Sequence, residues 1–282
     1  MKRDDLIVVR GGGDLATGVV HRLWSAGLRV LVLETAHPAA IRRQVSLCEA
    51  VYEGETAVEG MRGIRVETMA DADAIWAQNA VPVLIDPTGA CLLQARPAVL
   101  VDAIIAKKNL GTTINMAPLV IGVGLGFTAG KDVHLVIESM RGHNLARIIT
   151  DGMAQPNTGV PGNIAGFTSE RVIHAPAAGY IYDVRKIGDI VQKGDEIARI
   201  YPDKGSYDNK LSEYVPVNAT ITGIIRGLIR EGYYFKEGFK IADIDPREGE
   251  LSNCFTISDK ARSIAGSVLE AVSAFEHGIR VY

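Results

Sequence analysis

The chain has 282 residues, of which 47% are hydrophobic and 22% are charged, and its formal net charge at pH 7 is −3. This length allows about two domains with an ample core, and the slightly acidic balance excludes the basic surface of a nucleic-acid-binding protein. The three cysteines form no Cys-x-x-Cys pair, which argues against a disulfide framework and a structural zinc site.

The first segment has a pattern typical of a nucleotide-binding α/β unit. An apolar run at Leu6–Val9 leads into three glycines and a helix-compatible segment, and a second apolar run ends on Glu34. In a Gly-x-Gly-x-x-Ala turn the backbone approaches a pyrophosphate closely, and the free amides of the helix start face the anion. An acid about 20 residues further on accepts ribose hydroxyls. The residues predicted to bind a cofactor here are Gly11, Gly12, Gly13, Asp14, Leu15, Ala16 and Glu34. A glycine-rich turn without a ligand is the alternative.

Strand and helix patterns then alternate as far as residue 123, which predicts a parallel, doubly wound sheet. Ligands of such sheets lie beyond the carboxyl ends of the strands. Two further stretches fall there, Asp86–Gly89 and the glycine loop Gly122–Gly130. They add Asp86, Thr88, Gly124 and Gly126 to the predicted cofactor contacts. For the glycine loop, a connection between domains is an equal alternative.

Other residues are candidates for chemistry. A helix is expected over Pro38–Ala50, and its Arg42 and Arg43, together with Arg141, are candidates for binding an anionic substrate. Surface arginines are the simpler reading of the first two. His143 and Cys48 are candidate catalytic groups, with Cys48 as a small buried hydrophobe the alternative. No ligand spacing supports a metal site.

The character of the chain changes after the Gly- and Pro-rich connection at 150–166. A shift of 44 positions places Gly179 on Gly223, Gly188 on Gly232 and Gly194 on Gly238. This internal repeat of short strands predicts a barrel-sandwich hybrid like that of biotinyl and lipoyl carriers. Lys204, in an Asp-Lys pair after the first half, is then a hypothetical attachment lysine, with a solvated turn lysine the alternative.

An amphipathic helix over Ile257–Phe275 closes the sequence and is expected to pack back on the first domain or across a homodimer. The predicted fold class is therefore α/β: a Rossmann-like parallel sheet domain, a small barrel-sandwich-hybrid-like β domain, and a C-terminal helix. The expected division is 1–130 for the nucleotide-binding domain, 131–170 for the connection, 171–247 for the β domain and 248–282 for the helix.

The sequence contains seven blocks that follow one another in order. These blocks are Arg10–Gly18, Ile41–Gly54, Val58–Gly60, Asp86–Gly89, Ala106–Gly130, Arg141–Ile149 and Asn157–Phe167. In these blocks the sequence resembles the accessory proteins of the selenium-dependent molybdenum hydroxylase system, and the resemblance covers nearly the whole chain.

The resemblance implies a first domain similar to that of the chaperones that mature xanthine dehydrogenase. It also implies a maturation factor that binds a nucleotide-bearing cofactor, either NAD-like or a molybdopterin dinucleotide, with a molybdenum hydroxylase or its maturation machinery as partner. From the residues, two alternatives stay open: an NAD-dependent oxidoreductase, which Glu34 would suit, and a lipoyl- or biotinyl-like carrier or docking module. Whether a reaction is catalysed is left open.

The location is expected to be the cytoplasm. The apolar run after the N-terminal residues is too short for a signal peptide, and Pro118 and several glycines interrupt the best candidate for a membrane-spanning segment, Ile114–Gly130.

Overall fold

The computed structural model describes residues 5–156, 162–211 and 213–279. The chain divides into two compact units. The first comprises Met1–Pro38, Val45–Thr158 and Ile257–Tyr282, and the second comprises Ala39–Gln44 and Gly159–Thr256. Part of the predicted connection at 150–166, and of the last block of the resemblance, lies outside the described residues. The expected four-part division of the chain stays a prediction.

The helices of the described residues are mostly short. The α-helices are α1 (Asp14–Ser25), α2 (Ala50–Glu53), α3 (Ala72–Trp76), α4 (Leu92–Ala95), α5 (Lys204–Asn209) and α6 (Asp259–Glu276). The 3-10 helices are Arg43–Val45, Leu47–Glu49, Met69–Asp71, Ile114–Met116, Ser169–Arg171 and Leu251–Cys254. The helix expected over Pro38–Ala50 is therefore wrong, because residues 39–44 belong to the second unit while the chain on either side belongs to the first.

The first unit is built on one large sheet and a small ribbon. Its strands are β1 (Leu6–Arg10), β2 (Arg29–Glu34), β3 (Glu55–Val58), β4 (Met61–Val66), β5 (Val81–Ile85), β6 (Val99–Asp102), β7 (Leu119–Val123), β8 (Thr128–Ala129), β9 (Leu135–Ile137), β10 (Ile148–Ile149) and β11 (Gly152–Met153). The large sheet has the order β10-β9-β7-β6-β1-β2-β5-β4-β3, and β11 pairs with β8.

Chain order in this sheet reverses at its centre. From β1 the chain continues to β2 on one side, while β6 pairs with β1 on the other, both in parallel register. All pairs from β4 to β9 across the sheet are parallel, but the edge strands β3 and β10 run antiparallel to their neighbours. The predicted parallel sheet is corrected to a mixed sheet, because the hairpin of β3 with β4 and the short return of β10 along β9 each add a reversed strand at an edge.

The central strands of this sheet are buried on both faces, which explains their continuous apolar runs. In β1, Ile7 and Val9 face one cluster of buried side chains and Val8 faces the other. Helices α1 and α6 cover the first of these faces. They approach closely where Gly18 lies against Ala261, since a Cβ on Gly18 would come within 2.7 Å of the Ala261 Cβ.

The second unit consists of two four-stranded sheets in which every strand pair is antiparallel. Its strands are β12 (Val172–His174), β13 (Gly179–Asp183), β14 (Ile190–Val191), β15 (Glu196–Tyr201), β16 (Val215–Asn218), β17 (Gly223–Leu228), β18 (Tyr234–Phe235) and β19 (Lys240–Asp245). The orders are β12-β19-β17-β14 and β16-β15-β13-β18. A barrel-sandwich-hybrid domain is not shown, and this part of the predicted fold class is corrected to two separate antiparallel sheets.

The 44-residue repeat is nevertheless visible in the elements of the second unit. The pairs β13 with β15 and β17 with β19 occupy equivalent positions, and β18 and β14 are exchanged between the two sheets. Glycines at equivalent turns have positive φ in both halves, +99° at Gly188 and +77° at Gly232. Among the described residues, no helix is long and apolar enough to cross a membrane.

Candidate functional site

Charged residues lie at the carboxyl ends of several parallel strands of the large sheet. Arg10 ends β1, Glu34 ends β2, Asp102 ends β6, and Glu138 follows β9. The chain order of the sheet reverses between β1 and β6, and ligands of open α/β sheets lie at this kind of point. The residues at this edge are therefore the place to look for a site.

The glycine turn after β1 is held tightly by its own fold. Gly11 has a φ of +95°, and a Cβ there would lie 3.1 Å from the backbone of Ile104. At Gly12 a Cβ would lie 2.9 Å from the backbone nitrogen of Cys48, which donates a hydrogen bond to the Gly12 carbonyl. Both glycines are buried. These two positions thus exclude side chains because neighbouring protein backbone is close.

Glu34 points back into this turn. Its Oε2 accepts a hydrogen bond of 2.7 Å from the Gly12 N–H, and its Oε1 accepts one of 2.7 Å from the Thr35 N–H. Burial raises the pKa of the Glu34 carboxyl, and these backbone donors counteract the shift. The Glu34 carboxylate, which is predicted to meet a ribose, is therefore hydrogen-bonded to the Gly12 N–H.

The remaining residues of the predicted turn differ in exposure. Gly13 is half-buried, and a Cβ there would meet no described atom within 4 Å. Asp14 begins α1 and its Oδ1 accepts the N–H of Leu15 at 2.8 Å. Ala16 is 1% exposed and packs in the core. The open side of the turn is thus the Gly13–Asp14 side.

Cys48 is 1% exposed beside this turn. Burial raises the pKa of its thiol well above the ordinary value, and the carboxylates of Glu34 and Glu49 raise it further. The reactive form of cysteine is the thiolate. The surroundings of Cys48 therefore disfavour the nucleophile that was considered from the sequence.

A buried ion pair joins the loops at the centre of the edge. The Arg10 guanidinium lies 3.4 Å from the Asp102 carboxylate and also donates to Thr112, whose hydroxyl donates to Asp102 at 2.6 Å. A second guanidinium nitrogen donates to the carbonyl of Pro87 at 2.9 Å. Arg10, Asp102 and Thr112 are all buried, at most 2% exposed as residues. Arg10 thus fixes loops from three parts of the sequence, a role that its strand-end position alone did not indicate.

Asp86 and Thr88 are used within their own loop. The Asp86 carboxylate accepts N–H groups of Gly89, Ala90 and Cys91 at 2.8 to 3.0 Å, which caps the turn before α4. Burial raises the pKa of Asp86, but the N–H groups of Cys91 and Ala90 outweigh it and leave the pKa lowered. The Thr88 hydroxyl donates to Asp86 at 3.2 Å. Their predicted cofactor contacts stay predictions.

Gly124 and Gly126 follow β7 and have φ values of +80° and +103°. A Cβ on Gly124 would lie 2.6 Å from the Ser139 hydroxyl, and one on Gly126 would lie 2.5 Å from the backbone of Lys108. Close packing between loops accounts for both glycines. Their predicted binding of a cofactor stays a prediction.

Another charged group lies where β9 ends and α6 begins. Glu138 is 2% exposed, and its carboxylate accepts the N–H groups of Met140 and Gln155 at 2.7 Å each. Arg141 donates two hydrogen bonds of 2.8 Å to Asp259, the first residue of α6. His143 lies exposed two residues further on. Arg141 is thus near the candidate site, with its guanidinium paired.

Lys260 is the half-buried cation of this group. Burial lowers the pKa of its ammonium, and the Arg141 guanidinium lowers it further. The carboxylates that oppose this shift are those of Asp14, Glu138 and Asp259. The sequence does not predict a role for Lys260, because there it is an ordinary polar residue of an amphipathic helix. It comes near Asp14 only because α6 packs against α1.

Arg42 and Arg43 belong to the second unit. Arg42 donates to the carbonyl groups of Asn253 and Thr256 at 2.8 and 3.0 Å. Arg43 donates to the Leu228 carbonyl at 2.8 Å and to Asp183 at 3.2 Å. Both arginines thus bind protein groups of their own unit, and their binding of a substrate stays a prediction.

Within the part of the chain that the structure describes, no group of three or more His, Cys, Asp or Glu side chains is placed to hold a metal ion. Lys204, the hypothetical attachment lysine, is the first residue of α5, and its Nζ donates to Asp208 at 2.7 Å.

Comparison with known proteins gives one curated relative and several distant structures. The chain is 47% identical over 272 residues to the uncharacterized protein YqeB of Escherichia coli. The aligned region covers 96% of this chain and 48% of YqeB. The chain thus spans about half the length of this relative. No protein-family model matches.

The solved structures are similar only at a low level. An ectoine utilization protein of Ruegeria pomeroyi is 11% identical and covers 85% of each chain, with a TM-score of 0.28. An aspartoacylase family protein of Mesorhizobium loti is 12% identical, covers 85% of this chain and 84% of that chain, and has a TM-score of 0.28. A succinylglutamate desuccinylase/aspartoacylase of Rhodobacter sphaeroides has 12% identity, 85% coverage of each chain and a TM-score of 0.28. These values transfer neither a fold nor an activity to this chain.

The comparisons correct the functional expectation. Neither the relative nor these structures indicate a selenium-dependent molybdenum hydroxylase accessory family, so that prediction, with its maturation function, is wrong. The two alternatives, an NAD-dependent oxidoreductase and a lipoyl- or biotinyl-like carrier, fit no better.

Proposed function

We propose that the first unit binds a small anion, such as a carboxylate or phosphate compound, beside Lys260 at the carboxyl edge of its sheet. The supporting observation is the convergence of charged groups from three separate parts of the sequence. Asp14 begins α1, Glu138 follows β9, Arg141 lies in the next turn, and Lys260 lies in the first turn of α6.

Lys260 is the group of this cluster that suits an incoming anion. The Glu138 carboxylate accepts two backbone N–H groups, and the Arg141 guanidinium is paired with Asp259. Lys260 is half-buried, and a partly desolvated ammonium gains more from a charge-assisted hydrogen bond than one in bulk water. The Gly13 side of the glycine turn is open, since a Cβ there would meet no described atom within 4 Å.

The test is a screen of small anions against the whole protein. Thermal unfolding is followed with inorganic phosphate and with mono- and dicarboxylates, and the compounds that raise Tm are titrated by calorimetry. Lys260→Met is expected to weaken binding about tenfold or more, because one charge-assisted hydrogen bond is lost. Lys131→Met, which removes an exposed lysine of the same unit, is expected to leave the affinity unchanged. The proposal fails if no anion raises Tm, or if Lys260→Met binds as tightly as the parent protein.

We also propose that the protein works in the cytoplasm. The support is that Cys48, Cys91 and Cys254 are all free thiols, as is usual in a reducing compartment. Cell fractionation with an antibody against the chain tests this location, and recovery from an oxidising compartment would contradict it.

A further inference from the structure

Three tyrosine rings of the second unit surround one ammonium group. The Nζ of Lys210 lies 3.7 Å from the ring centre of Tyr207, 4.2 Å from that of Tyr182 and 5.8 Å from that of Tyr201. All three distances are within the range of cation–π attraction. Tyr182 lies on β13, Tyr201 ends β15, and Tyr207 lies on α5.

The local fold explains how the rings come together. Side chains alternate along β13, so that Ile181 is buried in the core while Tyr180 and Tyr182 are half-buried on the other face. Helix α5 packs against β13 and β15. Lys210 follows α5 with a left-handed backbone, φ +51°, which ends the helix at the rings.

The rings of Tyr182, Tyr201 and Tyr207 form a cage, and the Lys210 ammonium contacts this cage through the ring faces. Among the described residues, no hydrogen bond or ion pair joins the Lys210 ammonium to an oxygen atom, although its side chain is exposed. Carboxylates stand one layer further out: the Tyr207 hydroxyl donates to Glu231 at 3.2 Å, and Asp208 and Asp183 also act on that hydroxyl. Negative charge behind the rings strengthens the attraction for a cation.

This arrangement suits a cation without N–H groups better than a lysine ammonium. A primary ammonium that leaves water for ring faces gives up hydrogen bonds which the rings replace only weakly, whereas a quaternary ammonium has none to give up. We propose that the cage of Tyr182, Tyr201 and Tyr207 is a binding site for a small organic cation with a quaternary ammonium group, and that Lys210 is its intramolecular competitor. The site lies wholly in the second unit and is independent of the anion site proposed above.

The test uses the full chain and tetramethylammonium as the probe, with affinity measured by NMR titration. Removing the competitor in Lys210→Gln is expected to tighten binding about tenfold, because the ligand no longer displaces the ammonium nearest to the rings. The Lys204 ammonium lies 5.3 Å from the ring centre of Tyr207 and is paired with Asp208. Lys193→Gln, in an exposed turn of the same unit, is the matched control and is expected to leave the affinity unchanged. Ammonium ion is expected to bind more weakly than tetramethylammonium in Lys210→Gln, since it carries N–H groups.

The rings are then tested in the Lys210→Gln background. Tyr207→Leu is expected to lower the affinity about tenfold, and Tyr207→Phe, which keeps a ring face, to retain it. Tyr234→Leu is the aromatic control. The ring centres of Tyr234 and Tyr180 are 5.0 Å apart, and among the described residues no lysine ammonium lies over the Tyr234 ring. Circular dichroism checks that each variant folds. The proposal is overturned if Lys210→Gln binds no tighter than the parent protein, or if Tyr207→Leu binds as tightly as Tyr207→Phe.

Discussion

The two halves of the repeat in the second unit have similar backbones and different outer surfaces. In the first half, Tyr180 and Tyr182 lie on β13, and the equivalent positions of β17 hold Ile224 and Arg226. Tyr201 at the end of β15 corresponds to Asp245 at the end of β19. The aromatic cage is therefore a property of one half only. The comparison distinguishes residues that the shared backbone conformation requires from surface residues that can differ between the halves.

The shared feature is a close backbone contact at the start of each half. A Cβ on Gly179 would lie 2.2 Å from the carbonyl oxygen of Tyr201, and one on Gly223 would lie 2.2 Å from that of Asp245. Their φ values are +155° and +154°. Both halves thus require glycine for the same physical reason, the approach of two strands.

The largest effect is expected from breaking this shared contact. Gly179→Ala and Gly223→Ala should each lower the free energy of unfolding by roughly 3–5 kcal/mol, because the methyl group meets backbone that has nowhere to move. Urea unfolding of the whole protein measures the change. Gly249→Ala is the control, since a Cβ there meets no described atom within 4 Å. A large loss in one variant and none in the other would mean that the halves are not equivalent.

A second effect distinguishes the halves by pH. Burial raises the pKa of Asp183 to about 7, with Arg43 lowering it and Glu231 raising it. The equivalent position in the second half is Gly227, which does not titrate. A carboxyl group with a raised folded pKa stabilises the fold fully below its unfolded pKa, and this contribution is lost as pH rises through the folded value.

The stability that Asp183 supplies should therefore fall by on the order of 2–4 kcal/mol between pH 4 and pH 8. The measurement is urea unfolding across that pH range for the parent protein and for Asp183→Asn. The difference between the two curves of unfolding free energy against pH isolates the contribution of Asp183. Parallel curves would show that folding leaves the pKa of Asp183 at its unfolded value.

The smallest effect comes from the second half, and there stability is lost as the pH falls rather than as it rises. Burial raises the pKa of Asp245, but hydrogen bonds from Arg247 outweigh it and leave the pKa lowered. This contribution is present above the unfolded pKa and is lost as pH falls. Arg247→Met should cost about 1–2 kcal/mol at pH 7 and less at pH 3. Arg185→Met, also an arginine of this unit and exposed, is the control. An equal cost at both pH values would contradict the assignment.

Local patterns predicted much of the framework. Strands β1 and β2 and helices α1 and α6 coincide, to within two residues at each end, with segments that the sequence pattern indicated. The repeat was visible because its glycines recur at a fixed distance. Antiparallel edge strands of two to four residues have too little periodicity to be recognised, so the sequence predicted a parallel sheet without them.

The candidate site was less predictable because its partners are distant in sequence. Glu34 is predicted to meet a ribose, and the sequence does not indicate that its carboxylate accepts the Gly12 N–H, a hydrogen bond across 22 positions. Arg42 and Arg43 are candidates for binding a substrate or simple surface arginines in the sequence, and in the fold they donate to protein groups more than 100 positions away. Hydrogen-bonding capacity can be read from residue types, but the partner that uses it depends on which strands become neighbours.

By itself, the sequence determined which segments must be buried and where the backbone needs glycine, because apolar spacing and the absence of a Cβ act locally. Only the tertiary structure decided that Lys260 would lie among Asp14 and Glu138 and that three tyrosines would enclose Lys210. Electrostatic and cation–π attraction act over a few ångströms, and separation along the chain does not indicate which charges and rings folding will bring within that range.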